Sequence, residues 1–510
     1  MKRSEKIAYY DNKIFSYSNK YFKNFYIISN STFNKNHFAG TNLLINFIKN
    51  SKLKSFKFIL MINTLKFYLK NISYFLIFIF ILIINLSFKK KKKFIKNREN
   101  SIILIDTFIK DSSNYINSDK LIIKDNYFEN LYFFLDKKKI NYNLFIKFND
   151  LNSNPLKIIT LLKKLNNHNN VFTLYDFINF FTLIEILKFI LIYPFSVYGV
   201  INNLGSDYFD NLTKFDLSEN LHKNTFHNYL YLLAAKNSNK LVKHNKVNLI
   251  SWFENLPCNL NFYLGFRIYN KKTLINGCNY LLKYSECRWH YLDERLSNFN
   301  IHPDKIFVTG KRYLKKNDFI NYIIGPAFRY KYLNQMSVNN STSFNKNILI
   351  ALPYNVNDWQ NLIDIIYVSK LHKTYNLFIK IHPDFYQSFS NFKTKIKFPY
   401  NNINTNLTFD YIISNSSGLV MEMAVLGTSV MILQNSNDFL TCHPMPEIGK
   451  GIIWDIVENS DGFNLSFKKL EENRNNNFEN IVALSKLYFN DYFNKYKEND
   501  IINNYNLDEY

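Results

Sequence analysis

The chain has 510 residues, 47% hydrophobic and 18% aromatic, which gives room for two to four domains with sizeable cores. The net charge of +24 comes with 49 Phe, 37 Tyr, 12 Gly and 10 Pro, the drift of an AT-rich coding sequence, so the charge is discounted as a sign of nucleic-acid binding. Cys258, Cys278, Cys287 and Cys442 include no C-x-x-C pair, which argues against a zinc site or a disulfide framework and fits a reducing, cytosolic setting. The leader MKRSEKIAYYDNK lacks the apolar core of a signal peptide.

Residues 1–97 are expected to form a membrane-associated helical region. A helical stretch covers Phe56 to Lys70, followed by the apolar run Ile72–Phe88 and then Lys89 to Lys93. The run is slightly short of the roughly 20 residues that cross a bilayer comfortably. With lysines on both flanks, a span, an in-plane helix and a buried core helix all fit it. The lysines suit an anionic membrane surface. From Ser101 the pattern turns to strand (SIILIDTFI), helix (Asp125–Asp136) and strand (YNLFIKF), which suggests a Rossmann-like domain. Val171–Val200 reads as a membrane-surface helix, a hydrophobic hairpin or a packed segment. Strands follow in VNLISWFENLP, KKTLINGCNYLL, DKIFVTG and NYIIGPAFRY. The polar stretch Ser337–Lys346 reads as a linker, after which KNILIALPY opens a second βαβ series. That series continues through a helix at Trp359–His372, LFIKIHP, DYIISNSS, a helix at Leu419–Leu426 and SVMIL, with a final helix at Asn477–Tyr496.

Glycine is so scarce that those remaining point to backbone needs, and most of them, Gly265 to Gly462, lie in the second half. Open α/β sheets take ligands at the carboxyl ends of their strands, and anions favour helix N-termini. Two strand ends here carry phosphate-type ligands: Lys380 with His382, and Ser416-Ser417-Gly418 where a helix begins. Glu422 lies one turn into that helix, within reach of a sugar hydroxyl, and Glu447 sits in the loop HPMPEIGKG. Glu254, just after a first-domain strand, is the candidate general base. Arg267 and Arg329 are candidates to neutralise phosphate or an acidic sugar. Each of these residues also has a plain structural reading as a cap, an ion pair or a solvated face. No P-loop, GxGxxG, H-E-x-x-H, nucleophile elbow or D-x-D run occurs, and the histidines lack metal-ligand spacing.

The ordered set SWFENLP, LGFR, NGCNYLL, HPDKIFVTG, IIGPAFRY, IALPYN, IKIHP, DYIISNSS and EMAVLG lies between Ser101 and Asp461. It resembles GT-B glycosyltransferases that build capsule and surface polysaccharides, among them polysialyltransferase-like and Kdo-transferase-like enzymes and teichoic acid glycerophosphotransferases. More narrowly, it is similar to surface carbohydrate biosynthesis proteins. The resemblance implies an α/β GT-B fold with two Rossmann-like domains facing a cleft, an acceptor domain over 98–335 and a donor domain over 336–510. It implies a nucleotide-sugar substrate with no cofactor and no metal, its phosphates on His382, Ser416 and Ser417 and its ribose on Glu422 or Glu447. The acidic Asp/Glu–Gly motif of polysialyltransferases is absent, so the base rests on Glu254 alone. The expected activity is inverting transfer of a sugar to a surface polysaccharide or lipid-linked acceptor at the cytoplasmic face of the inner membrane of a bacterium. The alternatives are a sugar-nucleotide epimerase of the same fold and a non-catalytic nucleotide-sugar-binding scaffold; nucleic acid is not an expected partner.

Overall fold

The computed structural model describes the chain apart from residues 1, 22–38, 54, 91, 99–100, 110–126, 149–153, 223–224, 239–241, 243–244, 285–291, 317, 336–344, 354, 383–384, 402, 404–406, 435–442 and 510. Most of the expected linker, together with Pro383, His290, Cys287 and Cys442, lies outside the described residues.

The first sheet contains β1 (Ile102–Ile109), β2 (Asn143–Phe148), β3 (Val171–Thr173), β4 (Val247–Trp252), β5 (Thr273–Asn279), β6 (Lys305–Val308) and β7 (Asn321–Ile324). Its order is β3-β2-β1-β4-β5-β6-β7, and every neighbouring pair is parallel. Parallel sheets are covered on both faces, so their strands are continuous apolar runs. Accordingly, β2 and β4 are buried at every position. The chain winds outward from β1 to β3 and restarts at β4 on the other side of β1. That reversal opens a crevice between the carboxyl ends of β1 and β4.

The second sheet contains β8 (Asn347–Ala351), β9 (Asn376–Lys380), β10 (Tyr411–Ser414), β11 (Ser429–Leu433) and β12 (Trp454–Val457), in the order β12-β11-β10-β8-β9. It too is parallel throughout and reverses between β8 and β10. Two Rossmann-like sheets with an N-terminal hydrophobic helical region make up the expected GT-B class. Gly427 takes φ +88, a conformation open to glycine, where the chain turns toward β11. Its carbonyl accepts from Arg474, which also pairs with buried Asp410 at 3.2 Å.

In the N-terminal region lie α1 (Arg3–Tyr21), α2 (Ala39–Ile48) and α3 (Phe56–Leu86). The helix expected to stop at Lys70 instead continues as a single rod of 31 residues. Asn71 gives no break, because its amide donates back to the Phe67 carbonyl at 2.7 Å. After β1 come α4 (Glu129–Lys138) and α5 (Pro155–Leu165). The latter starts where Asn154 accepts from two backbone N–H groups and Pro155 fills the first turn. The apolar stretch Val171–Val200 divides into β3, a single helical turn at Leu174–Phe177 and α6 (Phe180–Asn203), which starts at a capping box between Asn179 and Thr182. Helices α7 (Tyr208–Asn220), α8 (Thr225–Ser238) and α9 (Pro257–Tyr269) complete the first domain before β5.

The second domain adds α10 (Trp359–Val368), α11 (Leu419–Ala424), α12 (Ser460–Asn476) and α13 (Phe478–Tyr492), and α14 (Glu498–Tyr505) closes the chain. Residues 336–510 read in sequence as one unit, but the tail returns to the first sheet. Asn248 donates to the Tyr505 carbonyl at 2.7 Å, and the Tyr280 and Tyr505 hydroxyls lie 2.8 Å apart. The reason is coverage: among the described residues, only short 3-10 turns join β5 to β6 and β6 to β7, so that face lacks crossover helices. Gly310 permits the return. A Cβ there would lie 2.4 Å from the Tyr492 backbone.

Candidate functional site

The loop after β4 stands at the reversal of the first sheet. Phe253 N–H donates to the Cys278 carbonyl at 3.0 Å, Asn279 to the Phe253 carbonyl at 2.8 Å and Asn259 to the Trp252 carbonyl at 3.0 Å. Asn255 then takes φ +57, a left-handed conformation that asparagine tolerates, and the chain turns sharply. Between these fixed points the half-buried Glu254 accepts from Trp252 Nε1 at 2.7 Å. Tyr127, beyond the carboxyl end of β1, stacks on the Trp252 indole with ring centroids 3.7 Å apart. Both sides of the crevice are thus built from aromatic surface, with one carboxylate held by an indole N–H.

Arg329 follows β7, its guanidinium 5.6 Å from the Tyr330 ring. Its pKa is raised by the Tyr330 phenol first, with Tyr127, Glu422 and Glu254 contributing. This cation therefore feels one carboxylate from each domain. Tyr332 completes the link by donating its hydroxyl to Glu422, and that contact pushes the phenol well above its usual range after the larger effect of burial.

Across the cleft, the loop after β10 stands at the reversal of the second sheet. Ser414 is spent on the Ala351 carbonyl at 2.8 Å. The helix N-terminus expected at Ser416-Ser417-Gly418 is a weaker anion site than its sequence suggests: Gly418 holds the cap position with no side-chain cap bond, and α11 has only six residues, so its dipole is small. Ser417 Oγ does accept from Leu419 N–H, at 3.3 Å, and Ser416 and Ser417 are half-buried. A Cβ on Gly418 would lie 3.5 Å from Leu282 and 3.9 Å from the Tyr284 hydroxyl, so the segment after β5 faces this loop directly.

The structure thus brings Glu254, Arg329, Glu422 and the Ser416–Gly418 loop to one cleft. It places the other candidates elsewhere. His382, half-buried with its ring 6.0 Å from Phe385, follows β9, two strands from β10 and so about 10 Å away along the sheet edge. Lys380 is exposed at the end of β9. The exposed Glu447 sits in the turn before β12, where Tyr488 of α13 donates to the Ile448 carbonyl. Arg267 is a correction. It ends α9 at the amino-terminal side of the first sheet, paired with Asp304 at 2.6 Å and donating to the Thr273 carbonyl. Its charge is used to tie β5 to β6, away from the strand carboxyl ends. Sequence reasoning missed Tyr127, Trp252 and Tyr332, whose roles depend on strand order. Among the described residues no group of three or more His, Cys, Asp or Glu could hold a metal ion.

Leu282 and Tyr284 face the cleft, while Lys283 points away into a buried pocket beside Tyr313 and Tyr322. Burial, aided by Lys315 and opposed by Glu294, lowers its pKa from 10.5 to about 7. The unfolded chain therefore holds this proton between about pH 7 and its ordinary value while the folded chain does not, so the group makes stability rise with pH across that window. Lys283→Met should remove a slope of up to about 1.4 kcal/mol per pH unit. Urea midpoints measured across the window test this, and an unchanged slope would mean that the lysine stays charged in the fold.

Two parallel α/β sheets with facing strand ends define a GT-B-type protein with a charged, aromatic-walled interdomain cleft. No protein-family model matches the chain, and no curated protein matches it. Among solved structures it is similar to Staphylococcus aureus MnaA in complex with UDP, at 11% identity and TM-score 0.43 over 80% of this chain and 97% of that one. It is similar to UDP-GlcNAc 2-epimerase from Neisseria meningitidis bound to UDP-GlcNAc, at 13% identity and TM-score 0.38 over 80% of this chain and 98% of that one. It is also similar to Acinetobacter baumannii MurG, at 10% identity and TM-score 0.37 over 76% of this chain and 99% of that one. These are likenesses of architecture and assign no residue a role.

Proposed function

We propose that this protein transfers a sugar from a nucleotide-sugar donor to a hydroxyl of a surface polysaccharide or lipid-linked acceptor, at the cytoplasmic side of a bacterial inner membrane. The observation that carries the reading is the meeting of the two sheet reversals, where Tyr332 of the first domain donates to Glu422 of the second and the segment after β5 faces the Ser416–Gly418 loop. In this reading the donor diphosphate lies against the Ser416–Gly418 loop, where hydroxyls and backbone N–H groups are available. Glu422, which accepts from the Tyr332 hydroxyl at the domain junction, is the candidate for the ribose. The acceptor oxygen attacks the anomeric carbon, the bond to the leaving phosphate oxygen breaks, and the acceptor proton passes to Glu254. Arg329 balances the charge that grows on the departing phosphate.

Calorimetry with UDP, CDP, GDP and CMP sugars tests the donor half. Ser416→Ala/Ser417→Ala should weaken the best ligand about 10- to 100-fold, as expected for lost hydrogen bonds to a charged group. An affinity equal to that of the parent protein would remove the donor from this loop. The reaction itself is read by incubating the bound sugar nucleotide with and without acceptor. Interconversion of the free sugar nucleotide would make the protein an epimerase, and binding with no turnover in either case would make it a scaffold.

A further inference from the structure

Helix α3 is amphipathic in the wrong sense for water. Its buried face carries Asn63, Asn71 and Asn85, with Asn63 donating to the Ser218 carbonyl at 2.9 Å and Asn85 accepting from Asn166 at 3.0 Å. Its outer face is apolar from end to end. Leu65, Leu69, Leu76 and Ile83, spaced by four or seven residues and so on one stripe, are each 61–62% exposed. Helix α6 runs antiparallel beside it, joined by the stacked rings of Phe67 and Tyr193 at 5.4 Å and by Tyr68 donating to the Leu191 carbonyl at 3.2 Å. It adds Phe181 and Phe195, exposed at 75% and 70%. Side by side, the two helices present one apolar plate. A large contiguous apolar patch left exposed on a protein surface marks a site of protein or membrane interaction.

We infer that this plate seats the protein on an anionic lipid bilayer, with α3 and α6 lying in the plane of the membrane and not crossing it. Three observations choose this occupant and orientation. First, 31 residues make a rod of about 46 Å, longer than the roughly 30 Å hydrocarbon core. Second, the inner face of α3 is bound to the α/β domain near both ends, through Ser218 of α7 and through Asn166 beyond α5. A spanning α3 would draw those helices into hydrocarbon with Lys163, Lys164, Lys214 and Glu219, at a steep cost in burying charge. Third, the rim is basic. Exposed Lys57 and Lys66 stand roughly a quarter-turn to either side of the α3 stripe, exposed Lys188 lies on α6, and exposed Lys90 and Lys93 follow α3, while Lys92 is spent on Asp176 at 3.2 Å. Such a rim attracts anionic headgroups and repels an identical rim, which disfavours a second copy of the chain. The inference is independent of the transfer chemistry, because donor affinity and lipid binding are separate readouts.

The test is flotation of the full chain with vesicles of phosphatidylcholine alone or mixed with phosphatidylglycerol. Binding should favour the anionic vesicles and fall with salt. Leu69→Asp/Phe195→Asp, both at exposed positions, should lower partitioning about 100-fold or more, at roughly tenfold or more per lost apolar anchor. Unchanged partitioning would overturn the inference. So would a concentration-dependent dimer that the same variant dissolves while the parent protein ignores vesicles. Nitroxides at Leu65→Cys, Leu76→Cys and Ile83→Cys decide the orientation: equal, shallow depths support an in-plane seat, and a graded series of depths refutes it.

Discussion

Glu254→Gln is expected to lower turnover by about 10²- to 10⁴-fold, the usual contribution of a positioned general base. Donor affinity and thermal midpoint should stay at parental values. The substitution is chosen for its geometry. Glutamine keeps the oxygen that accepts from Trp252 Nε1 at 2.7 Å and fills the same space, but it cannot take the acceptor proton. The Trp252 and Tyr127 stack should therefore survive, and a loss of rate reports proton transfer alone. Turnover within a few fold of the parent would place the base elsewhere in the cleft. Single-turnover rates beside calorimetric donor affinities separate the two outcomes.

The second large effect concerns stability. Lys147 of β2 and Asp106 of β1 form a fully buried ion pair at 2.6 Å, with Lys147 0% and Asp106 1% exposed at the side chain. The pair sits among rings, with Lys147 Nζ 4.8 Å from the Phe262 centroid and 5.2 Å from that of Tyr231. Asp106 also accepts from Ser251 Oγ at 2.6 Å, and Tyr263 donates to Ser251 at 2.7 Å. Burial pushes the Asp106 carboxyl up, while Lys147 and Ser251 hold it down. Lys147→Met should cost about 3–5 kcal/mol, because it leaves a buried carboxylate without its counter-charge. Asp106→Leu/Lys147→Met should recover much of that loss, since two apolar groups need no partner. The pH dependence gives an independent check. Without Lys147, the folded pKa of Asp106 rises further above its unfolded value. The folded single variant then holds the proton more tightly, so its stability is greatest in acid and falls as pH rises through the raised pKa. Urea midpoints at about pH 5 and about pH 8 should separate the single variant from the double variant, in which this titration is gone.

Much of the second domain was legible because its signals are local. IALPY, LFIKIHP, DYIISNSS and SVMIL are apolar runs bounded by turn residues, and each is a strand of the second sheet. Helix α12, rich in charge and asparagine and with few apolar positions, gave no clear period and was not expected. Arg267 and Arg329 show where local reading ends. Both arginines sit near aromatic residues and both were candidates for phosphate, yet one ties two strands at the amino end of the sheet and the other follows β7, with its guanidinium beside the Tyr330 ring. Which end of a sheet a residue occupies depends on where its helix starts and stops, and a deviation of a few residues moves it.

The sequence alone determined the class of architecture: parallel strands written as continuous apolar runs, two βαβ series, and a small-hydroxyl loop at one strand end. It could do so because hydrophobic periodicity and turn chemistry act within a few residues. Only the tertiary structure decided the order of the strands and hence the two reversals, the meeting of Glu254, Arg329 and Glu422, the return of α14 to the first sheet, and which face of α3 remains uncovered. These depend on long-range packing, in which apolar faces compete for partners far apart in the chain, and no local window records the winner.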